Sequence, residues 1–224
     1  MQDVRAPRQA RPLPKALGVD EAVQLADHVA EDDDPWLEAR DAAMVELLYG
    51  SGLRVGELVG LDVAASDAAQ RGGRGWIDLP SAEVQVQGKG SRRRSVPMGP
   101  PALAALRAWL ALRAQPFAGK SARLDGQALF VGRRGARLSI QSAWAIVRDR
   151  GQEAGMTRHI HPHMLRHSCA SHVLQSSGDL RGVQELLGHA SITSTQAYTR
   201  LDFQHLARVY DQAHPRARKG ESDG

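Results

Sequence analysis

Between Asp62 and Met98 the period of the sequence changes, and this restricts the fold more than any other feature. Elsewhere apolar residues recur every third or fourth position, the spacing of one helix face. Here Glu83-Val84-Gln85-Val86-Gln87 alternates polar and apolar, as a half-buried strand does, and Trp76-Ile77-Asp78-Leu79 reads as a strand before it. Gly88-Lys89-Gly90-Ser91 supplies turn chemistry, and Arg94-Ser95-Val96-Pro97 can return as the partner, with Pro97 at a strand end. Strands joined by so short a turn pair antiparallel. The sequence therefore asks for a small antiparallel β-sheet inside a mainly α domain, an α+β arrangement.

The helical spacing supplies the rest. A helix from Asp20 puts Ala22, Leu25, Ala26 and Val29 on one face. Asp34 can cap, and Pro35 open, a second helix carrying Leu37, Met44, Leu47 and Leu48 inward as far as Gly50. A short helix follows over 55–59. Pro100 and Pro101 open another with Leu103, Leu106 and Leu110 inward. A short strand is expected over 128–131, then helices over 139–154, 163–175, 180–187, 191–199 and 202–210. At 224 residues the chain can bury one real core. The best membrane candidate, Leu103 to Leu112, is too short and is interrupted by Arg107. The opening MQDVRAPRQARPLPK lacks the apolar core of a secretory signal, and a lone cysteine suits a reducing compartment, so a cytoplasmic location is expected.

Net charge is +4. Arginines cluster at 92–94, at 133, 134 and 137, and at 216 and 218, and forked guanidiniums match phosphate oxygens. Five of the nine histidines lie between His159 and His172. There Pro162 can open a helix that sets His163, Arg166 and His167 at i, i+3 and i+4 on one face. His163 and His167 have the spacing of zinc ligands. No carboxylate lies between them to act as a base, and Arg166 sets a cation on the same face, which suits an oxyanion better than a metal. Taken alone, the stretch also fits polar residues that cap a helix and line a solvated groove.

Four further signals are each weak alone. Arg54 follows a glycine turn at a helix start, where a cation is electrostatically odd unless an anion joins it, and Glu57 three residues on can pair with it. Lys89 lies in a turn beside two glycines. His189 follows Gly188 at a helix end. Tyr198 sits among polar neighbours, whereas Tyr49 and Tyr210 sit in apolar surroundings and read as core, as does Cys169.

Together and in this order, Arg54 in GLRVGEL, Lys89 in GKGSRRR, His163 and Arg166 in HPHMLRHS, His189 in LLGH and Tyr198 in TQAYT resemble the tyrosine recombinase (phage integrase-like) signature. The likeness runs from about Leu13 almost to the carboxyl end. SGDLRGVQELLGHASITSTQAYTR looks like the Xer subfamily, and the closing DFQHLARVYDQAHPRA favours the branch that partners XerD-like paralogues.

The resemblance implies that Arg54, Lys89, His163, Arg166 and His189 activate a DNA phosphate that Tyr198 attacks, with Glu57 in support and Arg92, Arg93 and Arg94 on the DNA backbone. It implies a 3′-phosphotyrosine intermediate that needs no metal, cofactor or ATP. It further implies double-stranded recombination-site DNA, a XerD-like paralogue in a heterotetramer and an FtsK-like translocase as partners. Residues 1–18 are expected as a flexible linker, 19–213 as the catalytic domain and 214–224 as a charged tail. The amino-terminal core-binding domain of the family is expected to be absent. Three rivals stand at this point: an inactive DNA-binding accessory module, a type IB topoisomerase-like relaxing activity, and a zinc hydrolase.

Overall fold

The structure is a computed structural model, and it describes residues 16–29, 34–87, 93–115, 124–188 and 209–217. Its elements run α1 (Val19–Asp27), α2 (Pro35–Gly50), α3 (Val55–Val59), β1 (Leu61–Asp62), α4 (Asp67–Arg71), β2 (Gly75–Asp78), β3 (Glu83–Gln87), β4 (Arg93–Pro97), α5 (Pro100–Arg113), α6 (Ile140–Glu153), α7 (Pro162–Ser177) and α8 (Leu180–Leu187). A helical segment over 209–213 follows. The expected helices over 191–199 and most of 202–210 lie outside the described residues.

Helix α2 is the axis of the core. Asp34 caps it by accepting from the Trp36 N–H at 2.8 Å, and Pro35 occupies its first turn, as the sequence predicts. Met44, Val45, Leu47, Leu48 and Tyr49 are all fully buried, because α1, α5, α7 and α6 surround the helix on every side. The α1 face is shorter than the spacing suggests: the helix ends at Asp27, and Val29 is 67% exposed. Among the described residues no helix is long and apolar enough to cross a membrane.

The sheet has the order β1-β2-β3-β4. Pairs β2–β3 and β3–β4 are antiparallel, as alternation and turn chemistry predict. The sheet as a whole is mixed, which corrects the all-antiparallel expectation: β1 pairs with β2 in parallel. The intervening residues carry α4, giving the crossover that parallel neighbours require. A two-residue strand carries no periodicity, so β1 had no sequence signal. Residues 128 and 131 form only isolated bridges rather than a strand.

Residues 16–18 and the segment over 209–217 both pack against the core. Leu17 is 2% exposed; its N–H donates to Ser168 Oγ at 2.9 Å and its carbonyl accepts from His172 Nε2 at 2.9 Å. His172 in turn accepts the Tyr49 hydroxyl at 3.0 Å. At the other end His214 donates to the Tyr49 carbonyl at 3.2 Å and stacks on Tyr210. Arg216, 4% exposed, reaches both Glu46 and Asp27. Arg216 thus packs against the buried Glu46 carboxylate and the part-exposed Asp27.

Candidate active site

The site is built at the carboxyl end of α8. The last carbonyls of a helix lack intrahelical donors and carry the negative end of its dipole. Here an arginine from a different element stands at each of the final three. Arg94 Nε of β4 donates to the Leu186 carbonyl at 3.3 Å, Arg166 of α7 donates to that of Leu187 at 2.5 Å, and Arg54 stands 3.5 Å from that of Gly188. Two glycines make this approach possible. Gly188, at φ 63°, leaves the space in which a Cβ would meet the Arg94 guanidinium at 2.9 Å. Gly52, at φ 60°, would place a Cβ 3.0 Å from Cys169 Sγ, and its carbonyl accepts a second Arg166 nitrogen.

Glu57 ties the three arginines together. Its carboxylate accepts from the Arg54 N–H at 2.8 Å, from Arg54 Nη1 at 3.0 Å, and from both Arg94 terminal nitrogens at 2.9 and 3.0 Å. Arg166 Nη1 lies 3.9 Å away. Burial pushes the Glu57 carboxyl up, but Arg94 and then Arg54 outweigh it and hold it below the usual carboxylate range. Burial also draws the Arg166 guanidinium down to about 10, with Arg54 and Arg94 adding to the fall and Glu57 opposing it. At about 10 Arg166 stays charged at neutral pH, and one carboxylate faces three guanidiniums. Such a buried surplus of positive charge is costly unless an anion completes it. Arg54, whose side chain is 41% exposed, gives the cluster its open side.

His163 stands at the lip, one turn before Arg166 on α7, and is exposed. Its neighbours are rings: Trp144 of α6 at 5.6 Å, edge to face, and His161 at 6.4 Å. His161 caps α7 through Nδ1, which accepts from the Met164 N–H at 3.3 Å. His172 packs and His167 is exposed, so the histidine-rich stretch divides into capping, packing and surface roles. Among the described residues no group of three His, Cys, Asp or Glu side chains gathers to hold a metal. Cys169 is fully buried, and burial pushes its thiol up to about 12.

Arg54, Glu57 and Arg166 are thus brought together. Lys89, Arg92, His189 and Tyr198 lie outside the described residues. Arg93 lies over the Trp76 ring at 4.7 Å on the sheet surface. Arg94 is placed otherwise than on a DNA backbone: it is 5% exposed and spent on Glu57. The register explains this, because Arg94 opposes Val86 and shares the buried face with Val96. The same alternation was legible in the sequence, since Arg94 and Val96 are two residues apart.

This helical shell around a small sheet, with converging arginines at a helix end, is the architecture of a known class. The chain belongs to the phage integrase family, whose profile matches residues 15–205. Within that family it is similar to tyrosine recombinase XerC, the branch that the closing stretch favours. It is 53% identical to XerC of Ralstonia pickettii over 216 residues, 96% of this chain and 65% of that protein. It is likewise 53% identical to XerC of Pseudomonas aeruginosa over 221 residues, 98% of this chain and 66% of that protein. The chain therefore spans just under two thirds of the length of the XerC proteins it matches. Among solved structures, XerA recombinase superposes with a TM-score of 0.65 at 32% identity, over 92% of this chain and 68% of that one. XerH bound to its difH substrate shares the fold, with a TM-score of 0.59 over 89% of this chain and 50% of that one.

Proposed function

We propose that this chain is a site-specific DNA recombinase of the XerC type, cutting and rejoining DNA through a 3′-phosphotyrosine. The observation that carries the reading is the cluster of three guanidiniums around one carboxylate, which leaves a positive surplus open on the Arg54 side. A phosphodiester under attack gathers charge on its non-bridging oxygens, and preorganised cations stabilise that charge without reorganising. Arg166 has committed Nη1 and Nη2 to carbonyls, yet each nitrogen carries a second N–H for a phosphate oxygen. Arg54 supplies the partner fork.

The remaining roles rest on the sequence signature. Tyr198 Oη attacks phosphorus and the 5′-oxygen leaves. Lys89 gives that oxygen its proton. A phenol ionises near pH 10, so His163 takes the proton from Tyr198. His189 adds a hydrogen bond to the phosphate, and Glu57 holds Arg54. The phosphotyrosine keeps the bond energy, so an incoming 5′-hydroxyl reseals the strand in the reverse sequence of proton transfers, without ATP. Residues 19–213 form the catalytic domain in this reading. The whole reaction, chromosome dimer resolution in the cytoplasm, takes a XerD-like paralogue in a heterotetramer and an FtsK-like translocase.

The test is a duplex carrying the chromosomal recombination site, nicked near the cleavage point so that the freed fragment is lost. The expected result is a covalent protein–DNA adduct with the wild-type chain, unaffected by EDTA, and none with Tyr198→Phe. An adduct that survives Tyr198→Phe overturns the assignment of the nucleophile. Relaxation of supercoiled plasmid without site preference points to topoisomerase-type action instead.

A further inference from the structure

His163 poses a problem of orientation. A base must present one ring nitrogen along one direction, within hydrogen-bond reach of the proton it takes. Yet His163 is exposed, and among the described residues it has no hydrogen bond or ion pair. What borders its ring is Trp144, edge to face at 5.6 Å and 72°, and His161 at 6.4 Å and 71°. Trp144 also stacks on His161 at 5.3 Å and 17°, and His161 is pinned by its cap on Met164. The three rings form a chain: the helix cap fixes His161, His161 fixes the indole plane, and the indole borders His163.

Trp144 is 36% exposed, an unusual position for the largest apolar side chain. The inward residues of that helix are Ala143, Val147, Arg150 and Gly151, and Trp144, three residues before Val147 and seven before Gly151, stands at the edge of that face, towards His161 and His163. Edge-to-face and stacked ring pairs attract beyond what area burial gives, enough to favour one ring orientation at a wet surface.

We infer that Trp144, held by His161, is a positioning residue that orients the His163 imidazole for proton transfer. The inference rests on the proposed role of His163. A ring free to turn presents its nitrogen usefully only part of the time, whereas the indole favours one edge-to-face setting. Burial, then the charge of His163, keeps His161 below the ordinary imidazole range, so the ring in the stack is the neutral one.

The test is a double-mutant cycle on the nicked duplex at saturating DNA, reading the single-turnover rate of adduct formation. Trp144→Ala is expected to slow cleavage about 3- to 10-fold, the share of a positioned base that one ring pair can secure. Trp144→Phe, which keeps a ring edge, is expected to restore most of the rate. In a His163→Gln background Trp144→Ala is expected to change the rate by no more than about twofold, because nothing is left to orient. Without DNA, the ring-current shift on the His163 carbon-bound protons is expected to vanish in Trp144→Ala and to persist in Trp144→Phe. Two results overturn the inference while leaving His163 in place: an equal slowing by Trp144→Ala in both backgrounds, which marks a direct DNA contact, or unshifted His163 resonances. If His163→Gln alone leaves the rate unchanged, the role of His163 falls, and the inference with it.

Discussion

Two buried ion clusters lie at different depths of this molecule, and they differ in charge balance. Around Glu57 three guanidiniums, of Arg54, Arg94 and Arg166, share one carboxylate. Around Arg216 the ratio is reversed: one guanidinium serves Glu46 and Asp27. Both are hydrogen-bonded and neither is a surface pair of little consequence. The second closes on itself and fastens the chain end. The first stays positive and opens towards solvent at Arg54. A buried ion cluster is therefore not evidence of a phosphate site; one that leaves a positive surplus is a candidate, and only the Glu57 cluster does.

The comparison is easiest to break with Arg216→Ala. This leaves Glu46, 3% exposed, without its cation, and removing one partner of a buried pair costs about 3–5 kcal/mol. Urea unfolding is expected to show that loss, while adduct formation per folded molecule stays at the wild-type rate. A rate that falls with stability would make both clusters functional. Next in size is Arg166→Lys, which cannot fork across two carbonyls and an oxyanion. It is expected to lower the cleavage rate by about 10²–10³-fold, or about 2.7–4 kcal/mol, with DNA saturating.

A third prediction separates the clusters by pH. Burial drives the His214 imidazole down to about 3, with its Nδ1 accepting from Arg216 N–H and its Nε2 on Tyr49. The unfolded chain takes up that proton near pH 6.5, so the stability that neutral His214 contributes is complete above 6.5 and declines as pH falls towards 3. Between pH 8 and 5 the expected loss is about 2 kcal/mol for this one proton, read by unfolding at each pH. His214→Gln flattens that slope. Glu57, held below its ordinary range, adds nothing there; its contribution fails only at lower pH, as the carboxyl protonates in the folded state. The smallest effect sharpens the idea of a charge surplus. Inorganic phosphate at tenfold its dissociation constant is expected to stabilise the fold by about 1.4 kcal/mol in thermal melts. Arg54→Ala abolishes the shift and Glu46→Gln does not.

Much of this was legible in the sequence, for physical reasons. Alternation at 83–87, apolar spacing with opening prolines in α2 and α5, and the Ser139 and Pro162 start signals of α6 and α7 give the fold, because half-buried strands leave a period and helix starts leave caps. Arg54, Glu57 and Arg166 were legible as a motif, and their convergence follows from helix starts and ends. Arg94 was misread as a DNA contact because a basic run looks like a charged surface, although its place two residues from Val96 put it on the buried face. Strand β1 and the anchoring of His214 and Arg216 left no pattern at all. A two-residue strand has no period, and a tail acquires its partners from α1 and α2 far away in sequence. Trp144 falls between these cases: its spacing puts it at the edge of the inward face of α6, and only the structure shows that it meets His161 and His163 there.

The fit of Gly188 against Arg94 limits how descendants of this chain can change. A Cβ at 188 meets the Arg94 guanidinium at 2.9 Å, and the φ of 63° strains any side chain there. Shortening Arg94 strips Glu57 of its bidentate partner. The two positions are therefore expected to depend on each other, each substitution costing less in the presence of the other than alone.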